Sequence, residues 1–583
     1  LIFPHLQYFS SASPIRIYCK NKAKKYYKVW IIRYRIMQNN YNKIIKSNIA
    51  LITTAIIVGL IVSLVAQFFS LIAKKVFDLI QSNNLFSLLF LDNYELNFFP
   101  LIACLIAGIL IGVIIKIFKI DRWQGPADTI YAVHQKAGSL DVKKGFLSTI
   151  AAFFSISGGA SVGIYGPLVH FGGTLGAFLR RITFIPNIPH NIIIGAGVAA
   201  AISAGFGSPI AGIIFAHEVI LRYFSIKALT AISLASVSAS FLAQSLNIDE
   251  PDLRFVVFSF ELVNSIPGLI IVGLTSALAA YIFMNSLLLS TKFANSIKKI
   301  PLHYKPLFPA LLCGSFGIFF PEVIGLGSET IKSVITESHT LSFLLLVLIF
   351  KIILTSICIG FGMFGGVLSP ALLIGCSIGA LVFHIPYIGI DQNLGQILAV
   401  SGMAAVASSV IGGPITAVIL VLELTGSYQY ALASIFAIAI SNLITYFIFG
   451  SSFFDKQLKL RQINIGFGRE FIHMNTTNIG DFVEKKFLKF DKECSIEEAL
   501  KGFKKFDCTE GYFVDNQNQF LGKLKLIDIL GKKSEMSLKY KEKSFLKLKP
   551  ENNINETINI LGSFVGESVP VIDNKNVLIG IIS

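Results

Sequence analysis

Between residues 48 and 449 the chain is a succession of apolar runs of two lengths. The long ones, at 48–82, 98–118, 262–290 and 340–360, have the roughly 20 residues a helix needs to cross a bilayer. Those at 146–157, 167–182, 191–204, 209–224, 308–320, 368–383, 394–409 and 414–425 are shorter and broken by glycine and proline. Runs at 226–246 and 431–449 complete the series. Broken helices at membrane depth are tolerated only where they line a cavity or pack in protein. After 462 the pattern changes. Strand-length runs at Gly511–Asp515 and Pro570–Asp573 each follow a helical pattern, around Ile496–Phe503 and Ile554–Leu561. This predicts an all-α polytopic membrane domain over 48–462, then a small α/β tandem of two units, 470–535 and 540–583.

An internal repeat organises the membrane part. Gly197, Pro209 and Glu218 return as Gly402, Pro414 and Glu423, each 205 residues later. Pro167, Gly172 and Gly176 return as Pro370, Gly375 and Gly379, 203 residues later. The halves run from about 98 to 246 and from 308 to 449. Paired Gly/Pro-broken segments in two halves point to a substrate site near the bilayer midplane. In the first half, Gly158–Arg181 carries seven glycines and Pro167. Gly166-Pro167 reads as a helix start, since proline has no amide to waste in a first turn. Free first-turn amides and the positive dipole end favour an anion there. Tyr165 stands in front of it.

Composition agrees. Of 583 residues, 54% are hydrophobic and 14% charged, and the mean hydropathy is +0.68. The net charge of +16 raises nucleic acid as a partner. The distribution argues against it: Arg180-Arg181, Arg222 and the Lys456–Arg461 cluster sit at the ends of apolar runs, and the terminal regions are basic, as positive-inside topology requires. Both termini are then cytoplasmic and the number of crossings even. Residues 1–47 form a basic arm; the chain opens on Leu1 and its first methionine is Met37, where we expect the start. Gly580–Ser583 reads as mid-strand, so a continuation of the chain is expected there. Seven cysteines show no CxxC spacing, and Cys104, Cys313, Cys358 and Cys376 read as packed thiols rather than disulfides or metal ligands. Gly531-Lys532-Lys533-Ser534 lacks the upstream glycine of a phosphate loop. No nucleophile–base pair has usable spacing. The chain reads as a non-enzyme that requires no cofactor.

Four stretches carry a family resemblance. Gly163-Ile164-Tyr165-Gly166-Pro167 matches G-R/K-E-G-P, and Gly365-Gly366-Val367-Leu368-Ser369-Pro370 matches G-x-F-x-P. Trp123-Gln124-Gly125-Pro126 sits where G-S-G-I-P occurs, and Phe453-Phe454-Asp455 where a pore tyrosine occurs. The chain thus resembles the CLC chloride channels and transporters, followed by a pair of CBS domains. The resemblance implies a homodimer in a bacterial inner membrane, with one anion pathway per subunit and an inverted repeat. Its anion pathway would run past Gln124, Gly125, Tyr165, Gly166, Pro167, Gly366, Val367, Leu368 and Phe454. The CBS pair could take an adenine nucleotide, a point the sequence leaves open.

The departures set the functional expectation. The gating glutamate of the family is here Tyr165, and its internal proton glutamate is Val219, as in passive members. The pore serine, phenylalanine and tyrosine positions hold Gln124, Leu368 and Phe454. Two hydroxyl donors are lost; Gln124 could add an amide donor and Tyr165 a phenol. A phenol titrates near 10, so Tyr165 cannot carry protons as a carboxylate does. Anions would rest mainly on the amides of Gly166, Val367 and Leu368, with weak discrimination among chloride, bromide and nitrate. Glu218 and Glu423, equivalent by the repeat, read as structural carboxylates at helix ends. His217 is placed at the dimer interface, His170 against packed helix, and Lys351 as a snorkelling side chain. The resulting expectation is a passive chloride channel under voltage or ligand control. Two rivals stay open: a proton-coupled antiporter using His217 or Glu218, and a non-conducting regulator whose CBS pair senses nucleotide.

Overall fold

The computed structural model describes residues 48–79, 98–135, 140–182, 189–246, 261–385, 392–463, 465, 474, 477–530, 537–539, 546–562, 564 and 566–583. The basic arm with Met37, and Gly531–Ser534, lie outside them. Two compact units part between Gln457 and Leu458.

In the first unit every regular element among the described residues is a helix. Its helices are α1 (Asn48–Leu79), α2 (Phe99–Phe118), α3 (Pro126–His134), α4 (Val142–Ser157), α5 (Tyr165–Ile182), α6 (His190–Phe206), α7 (Pro209–Phe215), α8 (Ile226–Ser245) and α9 (Leu262–Ser296). Then come α10 (Leu307–Phe319), α11 (Ser328–Thr336), α12 (Leu341–Phe361), α13 (Leu368–Phe383), α14 (Gln392–Ile411), α15 (Pro414–Thr425), α16 (Tyr428–Phe449) and α17 (Phe453–Leu460). Proline opens α3, α7 and α15, where its missing amide costs nothing. Glycines in the left-handed conformation end α6, α12, α15 and α16. Beyond α7 the chain makes a π turn over Ala216–Leu221. Seven helices among the described residues are long and apolar enough to span a bilayer, and four more apolar ones are shorter. Counting long helices therefore does not give the even number of crossings expected above.

The repeat glycines are helix crossings. A side chain at Gly172 would strike the carbonyl of Gly197, and one at Gly197 the carbonyl of Gly172. Gly375 and Gly402 oppose each other in the same way across α13 and α14. The backbones touch, so only hydrogen fits there.

Lys351 corrects an expectation. It does not snorkel: it is fully buried on α12, and its ammonium donates to the carbonyls of Val323 (3.2 Å) and Gly325 (2.9 Å). Close by, the Cys313 and Cys358 thiols pack 3.2 Å apart, and Cys104 donates to the Gly158 carbonyl at 2.9 Å.

The second unit is α/β. Strand β1 (Lys489–Phe490) pairs parallel with β3 (Glu510–Val514), which pairs antiparallel with β4 (Phe520–Lys525). Strands β2 (Glu493–Ser495) and β5 (Ser537–Lys539) form one antiparallel pair, β6 (Val569–Ile572) and β7 (Leu578–Ile582) another. Helices α18 (Ile496–Phe506) and α19 (Ile554–Leu561) both open with a capping box, on Ser495 and Glu498 and on Asn553 and Glu556. The tandem is a true repeat with a 58-residue offset. Asn518 donates to the Leu578 carbonyl and Asn576 to that of Phe520, both at 2.9–3.0 Å. Lys489 bonds Asn518 as Lys547 bonds Asn576.

Candidate functional site

The two glycine-rich loops meet. Gly163 donates to the Gly366 carbonyl at 2.8 Å and Gly366 to that of Gly163 at 2.6 Å, an antiparallel bridge between equivalent residues of the two halves. The starts of α5 and α13 follow at once. In α5, Leu168 already bonds back to Ile164, and Pro167 has no amide, which leaves Gly166 as the amide without a helical acceptor. In α13, Ala371 bonds back to Val367, leaving Leu368 and Ser369 as the free first-turn amides, with Val367 at the cap. Two positive helix ends thus stand side by side, around a crossing so tight that a side chain at Gly166 would strike Gly366.

Tyr165 is half-buried and turned onto α6. Its ring stacks on Phe206 with centroids 3.5 Å apart and planes 13° apart. Sequence reasoning missed Phe206, the last residue of α6 before the left-handed Gly207. Leu368 shares a cavity of about 20 Å³ with Ile202, Phe206, Met403 and Leu420. Its walls are apolar, so water has no partner in it.

Other residues of the expected pathway have their backbone amides engaged. The Gly125 amide donates to Asp128 Oδ2 at 3.0 Å, and Asp128 in turn holds Arg122 through both carboxylate oxygens. The amide of Gly366 is spent on the bridge. Both glycines therefore shape the site rather than donate to it. Gln124 donates its backbone amide to Ser148, while its side-chain Oε1 is buried without a partner. Phe454 is buried at the start of α17 beside Phe453. That start is fixed by Asp455, which accepts from Ser452 at 2.9 Å and pairs with Arg222.

The repeat carboxylates cap each other's halves. Glu218 accepts from the amides of Ile415 (3.0 Å) and Thr416 (2.8 Å) and from the Thr416 hydroxyl, at the start of α15. Glu423 accepts from Ile210 (2.9 Å) and Ala211 (2.8 Å), at the start of α7. Val219 is buried on the π turn next to Glu218. His217 is buried within the protomer, stacked on Phe224 and bonded to the Tyr223 carbonyl, which removes it from any exposed contact face. His170 is buried against Thr129 at 2.8 Å.

Residues 103–446, more than half of the chain, match the family described as voltage gated chloride channel. The chain belongs to that family. It is 26% identical over 320 residues to the H(+)/Cl(-) exchange transporter ClcA of Salmonella paratyphi B and of Salmonella newport, covering 52% of this chain and 66% of each relative. The fold is similar to that of a slow cyanobacterial Cl-/H+ antiporter, with a TM-score of 0.64 and 19% identity over 70% of this chain and 97% of that one. It is similar also to that of a eukaryotic CLC transporter, with a TM-score of 0.60 and 15% identity over 91% and 97%. The CLC-type membrane fold read from the glycine-rich motifs is thereby shown.

Proposed function

We propose that this CLC protein is a passive pathway for chloride and similar small anions, in a bacterial inner membrane. The observation that carries this is the pair of helix starts meeting at Gly163 and Gly366, with Tyr165 where the family has a gating glutamate. Val219 leaves the inner proton position apolar, and both nearby carboxylates, Glu218 and Glu423, are engaged as helix caps. Its role is transport, with no catalytic step and no required cofactor. The C-terminal tandem acts as a CBS pair that modulates flux, with an adenine nucleotide as its ligand. Homodimerisation through 209–246 and 414–449 follows from the same likeness. Ile226, Phe241 and Ile415 are exposed on those segments, so cysteines at 241 or 415, rather than at 217, should cross-link in lipid.

The second reading is proton-coupled exchange, favoured by the H(+)/Cl(-) exchange for which the Salmonella relatives are named. Vesicles carrying the full chain decide between the two when anion flux and external pH are recorded together. Flux without pH change supports the passive pathway; stoichiometric proton movement overturns it in favour of exchange. Absence of flux leaves the regulatory role.

A further inference from the structure

The second helix start holds a group that the first lacks. Ser369 is 4% exposed, and its hydroxyl has no hydrogen-bond partner. A helical serine usually bonds the carbonyl four residues back. For Ser369 that residue is Gly365, which lies before the helix. Its hydroxyl points instead at the loop crossing: the Cβ position of Gly163 is 2.7 Å from Ser369 Oγ. The equivalent position in the first half is Gly166, so the crossing carries a hydroxyl on one side only.

We propose that Ser369 is a selectivity-determining ligand, its hydroxyl donating to an anion seated among the free amides of Gly166, Leu368 and Ser369. This rests on the anion-pathway reading and narrows its substrate class. Amides at two helix ends attract any anion. A buried hydroxyl favours a small anion of high charge density, chloride over thiocyanate or nitrate, because the bond strengthens as charge concentrates. It replaces the weak discrimination expected from amides alone. An unpaired buried hydroxyl is costly to the fold, so Ser369→Ala should raise the melting temperature while weakening chloride binding. A merely structural serine would lower it.

The test uses the full chain and two readouts. Chloride and thiocyanate binding are titrated calorimetrically in detergent, and flux of both is measured in vesicles. Ser369→Ala should weaken chloride binding about tenfold and leave thiocyanate within about twofold, with the flux ratio falling in parallel. Ser369→Thr, which keeps the hydroxyl, should retain most of the preference. Unchanged chloride affinity in Ser369→Ala, or equal loss for both anions, overturns the inference. A wild-type chain that binds chloride but passes none refutes the transport reading alone, and the binding titration still judges Ser369.

Discussion

Tyr165 and Glu218 show how far one side chain can be read. Tyr165 occupies a gate position, yet its ring lies against Phe206, a contact worth about 0.5–1.5 kcal/mol beyond burial. Tyr165→Ala should raise anion flux, or leave it unchanged if the stacked ring already clears the path. Tyr165→Glu should make flux rise as pH falls, since the carboxylate holds the site when charged and leaves it when protonated near its ordinary range of about 4–5. Several-fold acid activation of the unmodified protein would refute the gate assignment. Glu218→Ala strands three donors of α15, and should cost about 2–4 kcal/mol in a detergent melt while flux per folded molecule stays the same. Loss of flux without loss of stability would return Glu218 to the transport pathway. Tyr165, Leu368 and Glu218 were legible because motifs and the repeat fix their positions. Phe206 and Ser369 were not, because which neighbour a ring stacks on and which hydroxyl lacks an acceptor depend on packing.

Among elements, apolar run length was a faithful guide. The runs at 368–383 and 414–425 coincide with α13 and α15, and the repeat offset placed their partners α5 and α7. Hydropathy said nothing about the π turn after α7 or about the partner of Lys351. Both arise from tertiary contacts, and an isolated lysine in an apolar run looks the same whether it snorkels or finds carbonyls inside. The glycine crossings give a sharp test. Gly375→Val should abolish folding or cut yield severely, because the side chain would meet the Gly402 backbone rather than a movable side chain. Gly426→Ala, at a left-handed cap with nothing nearby, should cost only about 1 kcal/mol. Equal yields for the two would disprove the close packing of α13 on α14.

For the molecule as a whole, the second unit has its own fastening. Glu510 on β3 pairs with Lys523 and accepts from the amides of Glu567 and Ser568, joining the two repeats. Burial alone would push the Glu510 carboxyl up; Lys523 and the Ser568 donors outweigh it and hold it below its ordinary value. A carboxyl lowered on folding stabilises fully above its unfolded value of about 4.5 and loses that contribution as pH falls through the folded value. Hydrogen exchange in β3 and β6 should therefore quicken below about pH 4.5. Lys523→Ala, which leaves the carboxylate to the Glu567 and Ser568 donors and to Lys525 at 3.8 Å, should loosen both strands at neutral pH by about 1.5–3 kcal/mol. Unaltered exchange in that variant would show that the Glu510–Lys523 pair contributes nothing to holding the two repeats together. The reciprocal caps have a different consequence, one of time. The amides of Ile210 and Ala211 wait for a carboxylate more than 200 residues downstream. At about 5–20 residues per second, roughly 10–40 s pass between the synthesis of α7 and that of Glu423. The first half must enter the bilayer as an unfinished object, and the moment of its completion is set by the ribosome.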